Sequence, residues 1–383
     1  MSPKPLGGIT ATKFLRDYWQ KKPLLIRQAF NNFIGVVERE TLFALSCRDD
    51  VESRIVTYQQ SEWRVNHGPF TNNVFTKARK REWTLLVQDL NHCIPEAAEL
   101  LQQFDFIPHA RLDDLMVSYA AVGGGVGPHT DSYDVFLLQG PGKRRWRISA
   151  QKDTEILPNA PLKILKDFKP ENEWVLEPGD MLYLPPGYAH EGVALTECMT
   201  YSIGFRAPSA QELATAFLDH MQEQVLLHGR YDDPDLTATK HPGDIPKSMV
   251  KKVAATLQKI NWNEIDVSAF LGAYLSEPKP HVFFSPPERP WSKRKFASTV
   301  ERHGLRLALK SRMLYRLNIF FLNGERFNSS KTNAPLLKRL ADKRSIPGGT
   351  SIGDETLTIL WEWYCAGFIE PITPNQKNKT VSI

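Results

Sequence analysis

Residues 113–205 contain many short apolar runs, and glycine or proline separates each run from the next. Runs of this length suit β-strands, because an amphipathic helix needs a longer segment with a 3.6-residue period. The glycines and prolines between the runs provide turns. This pattern predicts a succession of short strands, folded into a barrel or a sandwich. We therefore expect the centre of the chain to be mainly β.

Helical patterns flank this β segment. Before it, apolar residues at helical spacing occupy 14–19, and Pro23 closes the segment. After it, Ser209 and Glu212 have the spacing of a capping box, which starts a helix. Gly229 is the predicted stop of that helix. Its apolar stripe could be core or a dimer seam, and consists of Leu213, Phe217, Met221 and Val225.

The C-terminal part combines helices with one hairpin. Asn323-Gly324 is a hairpin signal between the runs 314–322 and 325–327. Helical stretches at 335–342 and 355–364 flank the hairpin. This mixture is compatible with a small winged-helix-like module.

Two proline-rich linkers, at 231–246 and 278–290, divide the chain, and two further helical patterns lie between them. A length of 383 residues agrees with two or three domains. We predict a mainly β domain at 1–208, a helical connector at 209–277 and a C-terminal module at 291–383.

Charge is distributed unevenly along the chain. From residue 291 onward there are 16 lysine and arginine residues against 7 aspartate and glutamate residues, a balance of +9, so the first 290 residues carry −4 of the total of +5. A basic module of this kind predicts contact with a polyanion such as RNA. A solvated basic surface is the alternative.

Other features of the composition indicate a cytoplasmic protein. No apolar run approaches the roughly 20 residues of a membrane helix, and the first residues have no apolar segment typical of a signal peptide. The four cysteines are scattered, with no C-x-x-C pair, which argues against a zinc knuckle or a disulfide scaffold. We expect no membrane association.

The glycine-rich segment 123–131 ends in His129-Thr130-Asp131. It lacks the Gly-Lys-Ser/Thr of a phosphate loop, and Pro128 stands where a dinucleotide fingerprint needs glycine, so nucleotide binding is disfavoured. On a strand, residues two apart share a face, which places the side chains of His129 and Asp131 together. Alone, this pair is a weak signal.

A third candidate ligand follows a rigid turn. Pro185-Pro186-Gly187 turns the chain just before His190, after a short apolar strand. His129, Asp131 and His190 then form a two-histidine, one-carboxylate set, which suits Fe(II) with coordination positions left open. The alternative is that three unrelated polar residues happen to be present.

These motifs resemble the JmjC group of cupin-fold, 2-oxoglutarate- and Fe(II)-dependent oxygenases. Further similar segments are spread over roughly the first 210 residues. Together they resemble the bacterial ribosomal oxygenases that hydroxylate an arginine of a large-subunit (50S) ribosomal protein. Beyond residue 210 the match is one of layout. The similar segments are 14–24, 66–70, 113–116, 134–140 and 201–208.

The resemblance implies a double-stranded β-helix, also called a cupin jelly roll. It is followed by a helical dimerisation segment and a small winged-helix-like domain. It implies Fe(II), with 2-oxoglutarate and O2 as co-substrates. A ribosomal protein would be the substrate, a homodimer the assembly, and the basic C-terminal module a point of contact with rRNA. Two other functions stay open: an oxygenase of this fold acting on another residue or protein, by histidine hydroxylation or lysine demethylation for example, and a non-catalytic metal-binding cupin.

The family requires a cation for the distal carboxylate of 2-oxoglutarate, and residues 143–147 offer four. On a strand, Arg144 shares a face with Trp146 and Ile148, while the other three cations lie opposite. The apolar face should point into the barrel, so Arg144 is the predicted anchor, in agreement with the family's position. The alternative places all four cations on the surface.

Alternation along 113–120 predicts that Asp114, Met116 and Ser118 share a face. The resemblance implies that Ser118 helps to bind 2-oxoglutarate, and that Asp114 and Met116, with Tyr133, line the substrate mouth. An acidic group beside an aromatic ring suits a guanidinium. A turn-capping aspartate and a core methionine are the structural alternatives. Ser202 is equally compatible with a co-substrate contact and an ordinary barrel serine.

Overall fold

The structure is a computed structural model that describes residues 5–76 and 81–373. An N-terminal part combines short helices with strands that extend the central sheet. Thr10 accepts a hydrogen bond from the N–H of Lys13 and so begins the first helix, as the sequence predicted for this region. The elements are α1 (Ala11–Asp17), β1 (Leu24–Ile26), α2 (Arg39–Leu45), β2 (Ser53–Gln59), β3 (Glu62–His67), α3 (Asn72–Thr76), β4 (Trp83–Val87) and α4 (Pro95–Gln102).

Eight short strands follow, which confirms the predicted β segment. Strand β12 is buried along its whole length, because sheet neighbours flank it and both of its faces are covered. The strands are β5 (Leu112–Ala120), β6 (His129–Thr130), β7 (Val135–Gln139), β8 (Arg144–Ser149), β9 (Asn172–Leu176), β10 (Met181–Leu184), β11 (Ala189–Ala194) and β12 (Cys198–Phe205).

Two antiparallel sheets form the jelly roll. The larger has the order β1-β10-β7-β12-β5-β4-β2-β3, and the smaller has the order β6-β11-β8-β9. Buried side chains from both sheets meet between them, for example Leu137 and Leu182 of the larger sheet with Trp146 and Ile148 of the smaller. Burial of these apolar faces holds the two sheets together.

Three helices follow the jelly roll, as predicted. They are α5 (Ala210–Gln224), α6 (Lys247–Leu257) and α7 (Glu264–Ser276), and the capping box of Ser209 and Glu212 is present at the start of α5. Helix α5 ends at Gln224, so the predicted stop at Gly229 was too late. Phe217 of the apolar stripe packs on Phe270 of α7, with ring centroids 5.3 Å apart. No described helix is long and apolar enough to cross a membrane.

The C-terminal part has its own core, in which Phe296, Leu337 and Leu360 are buried together. The predicted hairpin at Asn323-Gly324 is present, and both residues have positive φ. Residues 314–322, expected on one side of that hairpin, form two strands, because Leu317 adopts a left-handed φ of 58° and turns the chain. The elements are α8 (Lys293–His303), β13 (Gly304–Leu307), β14 (Met313–Arg316), β15 (Ile319–Leu322), β16 (Glu325–Asn328), α9 (Ala334–Lys343), β17 (Ser345–Pro347), α10 (Asp354–Cys365) and β18 (Ile369–Pro371).

Candidate active site

Sheet pairing brings the three candidate metal ligands together. In the smaller sheet β6 pairs with β11, and His129 lies directly opposite His190. Asp131 follows β6, and its two carboxylate oxygens lie 3.9 Å from Nε2 of His129 and 3.6 Å from Nε2 of His190. One ligand atom from each residue lies within 4.8 Å of the other two. Three donors this close, two nitrogens and one oxygen, can share one metal ion.

Backbone carbonyls orient both histidine rings. Nδ1 of His129 lies 2.9 Å from the carbonyl oxygen of Gly127, and Nδ1 of His190 lies 3.0 Å from that of Tyr188. A carbonyl only accepts, so Nδ1 carries the proton and Nε2 keeps its lone pair for a metal. Burial, followed by the neighbouring His129, lowers the pKa of His190 to about 4, which favours the neutral, metal-binding form. The donor set therefore fits Fe(II).

Arg144 lies inside the jelly roll, as strand alternation predicted. It is 3% exposed, and its guanidinium donates to the hydroxyls of Ser118 (3.1 Å) and Thr200 (3.2 Å) and to the carbonyl of Gly192 (3.2 Å). Nε has no hydrogen-bond partner, and no carboxylate of the described residues lies within 4.0 Å of this guanidinium. Burial lowers the pKa of Arg144 because its charge is desolvated. A buried cation without a counter-ion is a ready site for an anionic ligand.

One cavity of about 350 Å³ connects the triad, Arg144 and the predicted substrate residues. A larger groove of about 1000 Å³ runs between α7, β14 and residues 105–110, but it includes none of the triad. In the described part of the chain, only the triad groups three metal-type ligands. We therefore place the chemistry in the smaller cavity. Its lining includes every predicted site residue, namely Asp114, Met116, Ser118, His129, Asp131, Tyr133, Arg144 and His190, and also Thr200, Ser202 and Lys279.

Asp114 provides a buried carboxyl group on the cavity wall. It is 7% exposed, and its Oδ2 accepts a hydrogen bond of 3.1 Å from the N–H of Asp89. Burial raises the pKa of Asp114 to about 7, although the nearby ammonium of Lys279 opposes this rise. A buried carboxylate of this kind is stabilised most when a cation binds beside it.

Tyr133 stands at the rim of the same cavity, and 38% of it is exposed. Burial of its hydroxyl, and then the charges of Asp131 and Asp114, raise the pKa of Tyr133, so its phenol stays protonated. The hydroxyl interacts with the carboxylate of Asp131. A half-exposed ring between the two carboxyl groups can cover a guanidinium.

Among the cavity residues that sequence reasoning missed, Thr200 and Lys279 contact predicted site residues. Thr200 lies opposite Ser118 where β12 pairs with β5, and it shares a face with Ser202 through the period of two. The alternation along this strand could therefore have identified Thr200 from the sequence. Lys279 comes from the second proline-rich linker, where neither periodicity nor a motif marks it.

Comparisons with known proteins agree with this geometry. A family model described as "JmjC domain" matches residues 99–213, and one described as "ROXA-like winged helix" matches residues 259–368. The chain is 37% identical over 331 residues to "Ribosomal protein uL16 3-hydroxylase" of Escherichia coli (strain K12), covering 86% of this chain and 87% of the relative. The chain belongs to the JmjC ribosomal oxygenases. A "Probable ribosomal oxygenase" of Haemophilus influenzae is 40% identical over 62% of this chain and 57% of its own length.

Solved structures of this family match nearly the whole chain. The X-ray structure of E. coli YcfD superposes with a TM-score of 0.84 and 34% identity, covering 95% of this chain and 98% of YcfD. Another YcfD structure, with a TM-score of 0.80, 34% identity and the same coverage, is a complex with cobalt and 2-oxoglutarate. The predicted cupin jelly roll and winged helix are confirmed, as is the class of 2-oxoglutarate-dependent oxygenase with Fe(II), 2-oxoglutarate and O2.

Proposed function

We propose that this ribosomal oxygenase hydroxylates an arginine side chain of a large-subunit ribosomal protein and releases succinate and CO2. One observation carries the proposal: a single cavity joins the His129–Asp131–His190 triad to an unpaired Arg144 and to the carboxyl group of Asp114. The E. coli relative, named for 3-hydroxylation of the ribosomal protein uL16, supports a ribosomal substrate. Such a substrate also supports the predicted cytoplasmic localisation.

The triad would hold Fe(II) through Nε2 of both histidines and the carboxylate of Asp131. Iron bound there, with 2-oxoglutarate and O2, would supply the oxidation that puts one oxygen atom into a substrate C–H bond and the other into succinate. Arg144 binds the distal carboxylate of 2-oxoglutarate, with Ser118 and Thr200 holding the guanidinium in place. The buried rings and alkyl groups around Arg144 exclude water and so strengthen this ion pair.

Asp114, Met116 and Tyr133 bind the substrate arginine. Asp114 accepts hydrogen bonds from the guanidinium, Met116 packs against the alkyl part of the side chain, and the ring of Tyr133 covers the charged plane. Ser202, on the same wall, contributes a small polar contact. Together these residues direct a side-chain carbon toward the triad.

The alternative reactions differ in what they require of Asp114. Distant relatives are named bifunctional lysine-specific demethylase and histidyl-hydroxylase NO66, at 25% identity over 56% of this chain. A buried carboxyl group beside an aromatic ring favours a cationic side chain over a neutral imidazole. A non-catalytic cupin has no need for a complete triad facing a buried, unpaired Arg144.

The test measures succinate formation and peptide mass with arginine-containing peptides of large-subunit ribosomal proteins. We expect peptide-dependent succinate formation and the gain of one oxygen atom on arginine, both abolished by His129→Ala. Unchanged turnover in His129→Ala would contradict the metal assignment. An added oxygen on another residue would contradict the arginine substrate and retain the oxygenase class.

A homodimer is the proposed assembly, and exposed apolar side chains around α6 support it. No residue of α6 is buried, and even its apolar side chains are exposed: Val250 is 55% and Leu257 is 56% exposed. Leu218 of α5 and Trp262 before α7 are also more than half exposed. A second copy of the chain would remove this apolar surface from water. Size exclusion with light scattering should give twice the 43.6 kDa chain mass; a monomer mass at micromolar concentration would contradict the dimer.

We also propose that the basic C-terminal module, residues 291–383, contacts rRNA. Lys293, Arg294 and Lys295 are exposed at the start of α8, and no described carboxylate pairs with any of them. Reversing all three to glutamate should weaken binding to an rRNA fragment and lower the slope of log affinity against log salt by about 2–3. An unchanged slope would place the RNA contact elsewhere or exclude it.

A further inference from the structure

Lys279 brings a cation from the second proline-rich linker into the wall of the active-site cavity. Its side chain is 28% exposed, and its Nζ lies 3.0 Å from Oδ1 of Asp89, 3.5 Å from Oδ1 of Asp113 and 3.9 Å from Oδ2 of Asp114. Three carboxyl groups therefore surround one ammonium group. None of the reaction steps described above uses Lys279.

The three carboxyl groups differ in how else they are paired. Asp89 also meets Nε2 of His281, at 3.2 Å, and Asp113 meets Nε of Arg206, at 3.4 Å. Among the described residues, Asp114 has no ion-pair contact besides Lys279, and its carboxylate accepts a hydrogen bond from the backbone N–H of Asp89. Asp114 is thus the carboxyl group whose ionisation depends most on Lys279.

We propose that Lys279 is a positioning residue of the substrate site, which favours the ionised form of the Asp114 carboxyl group that receives a substrate guanidinium. The inference rests on the proposed arginine hydroxylation. By pairing with Asp89 and Asp113, Lys279 also offsets two neighbouring negative charges that would otherwise oppose ionisation of Asp114. It acts through Asp114 and does not itself touch the reacting atoms.

The charges around Asp114 give the direction of the effect. Burial, then the attraction of Lys279 and the repulsion of Asp89 and Asp113, set its pKa at about 7. The phenol of Tyr133 also faces it. Removing the ammonium group of Lys279 takes away the largest attraction on the Asp114 carboxylate and raises the pKa of Asp114 further. One unit of increase makes the ionised form about tenfold rarer below the pKa. The charged or titratable groups that face this cluster are Arg54 on the cavity wall and, from the next layer, His92, Arg206, His281 and Arg312.

The experiment compares full-length wild type with Lys279→Met and Lys279→Arg. In Lys279→Met at pH 7, we expect the KM for the arginine peptide to rise about five- to tenfold while kcat and peptide-independent succinate formation stay within about twofold. The acid limb of kcat/KM should move to higher pH by about one unit, since that limb reports groups of the free enzyme. Lys279→Arg should restore most of the affinity.

Three further measurements test whether Lys279 acts through Asp114. Lys310→Met removes another half-buried lysine, 3.4 Å from Asp50 and outside the cavity, and should leave KM unchanged. In an Asp114→Asn background, Lys279→Met should add little further loss of kcat/KM, because the two residues act as one unit. Carboxyl ¹³C NMR follows the titration of Asp114 without any substrate, and Asp114→Asn identifies the Asp114 signal. If Lys279→Met does not fold, Lys279→Gln replaces it in all of these measurements.

The outcomes separate this inference from the proposed function. An Asp114 titration midpoint that does not change without Lys279 overturns the inference, whether or not arginine is the substrate. A changed midpoint with an unchanged KM also overturns it. Absence of arginine hydroxylation in the wild type contradicts the proposed function, and the carboxyl titration still decides whether Lys279 controls Asp114.

Discussion

Arg144 owes its place to the period of two of a single strand. Arg144 and Trp146 of β8 are buried, while Arg145 and Arg147 between and after them are half-buried on the outer face. The outward arginines pair with Glu173 and Glu191, whereas Arg144 meets hydroxyls and a carbonyl. One strand therefore provides both a surface of ion pairs and an interior cation with no anion of its own.

Replacing Arg144 by lysine tests its role as the anchor of 2-oxoglutarate. Lysine keeps the charge but loses the planar fork, and about 1.5–3 kcal/mol of charge-assisted hydrogen bonding should be lost. We expect the KM for 2-oxoglutarate to rise roughly 10- to 100-fold, measured by succinate formation. Arg145→Lys on the outer face of the same strand is the control and should change KM by less than about twofold. Equal effects of the two substitutions would contradict the inward assignment.

Local periodicity explains which site residues could be predicted. The inward position of Arg144, and the shared face of Asp114, Met116 and Ser118, follow from alternation within one strand. Lys279 could not be found in this way, because it meets Asp89 across 190 residues of chain. The pairing of β6 with β11 that joins the candidate metal ligands is also a property of the sheet; the sequence indicated the triad through its two-histidine, one-carboxylate set and not through that pairing.

At the scale of elements, one buried carboxylate ties the N-terminal segment to the jelly roll. Asp134, fully buried before β7, accepts hydrogen bonds from the hydroxyl of Tyr183 (2.6 Å), the amide of Gln20 (2.9 Å) and the guanidinium of Arg111 (3.3 Å). These partners lie on β10, after α1 and before β5. Asp134 directly follows Tyr133 of the candidate substrate site.

Asp134→Asn should lower the free energy of unfolding by about 3 kcal/mol, because it leaves Arg111 without its buried counter-charge. The measurement is urea unfolding followed by circular dichroism. Asp17→Asn is the control: this carboxylate pairs with Lys13 at 2.8 Å and with Arg16 at 2.7 Å on the surface, where water screens both ion pairs, so its loss should change the free energy of unfolding far less. Similar losses in the two variants would mean that the Asp134 contacts contribute little.

Elements were predicted well where turn chemistry is local and less well where packing decides. Asn323-Gly324 supplied two residues that tolerate positive φ, and the hairpin formed there. The break between β14 and β15 falls at Leu317-Asn318, where the left-handed φ belongs to the leucine; Asn318 is a turn-type residue, but position 317 does not have the glycine or asparagine that marks such a φ in a sequence. The end of α5 was placed too late because Gly229 was the nearest helix stop in the sequence, five residues beyond Gln224.

At the scale of the whole molecule, buried cations join the jelly roll to the C-terminal part. Arg312, ahead of β14, donates to the backbone carbonyls of Asp113 (2.7 Å) and Leu275 (3.4 Å). Arg344 is buried nearby and donates to three carbonyls of the C-terminal part. His92 lines the same junction, 3.8 Å from Asp89.

His92 should make stability depend on pH. Burial, with Asp89 opposing and Arg312 reinforcing the shift, lowers the pKa of His92 to about 4 in the folded chain. The unfolded chain takes up a proton near pH 6.5. Between about pH 6.5 and 4 the unfolded state therefore binds more protons, and the folded state should lose stability as the pH falls, by up to about 3 kcal/mol.

Urea unfolding at several pH values between 4.5 and 7 measures this loss. His92→Gln should flatten the dependence, since glutamine does not titrate, while His228→Gln, on the exposed segment after α5, should leave it unchanged. A pH dependence that persists fully in His92→Gln would assign it to other groups.

The position of Lys279 ahead of α8 has a consequence for which segments of such a chain can be exchanged by gene fusion. With Lys279 acting on Asp114, the cavity depends on a residue that lies beyond both the jelly roll and the helices after it. A gene fusion or exchange that joined a new partner at the end of the jelly roll would discard that lysine together with the old C-terminal part. An exchange after residue 290 would keep it. If Lys279 acts on Asp114 as proposed, the segment that must be kept together is longer than the jelly roll that carries the candidate metal ligands.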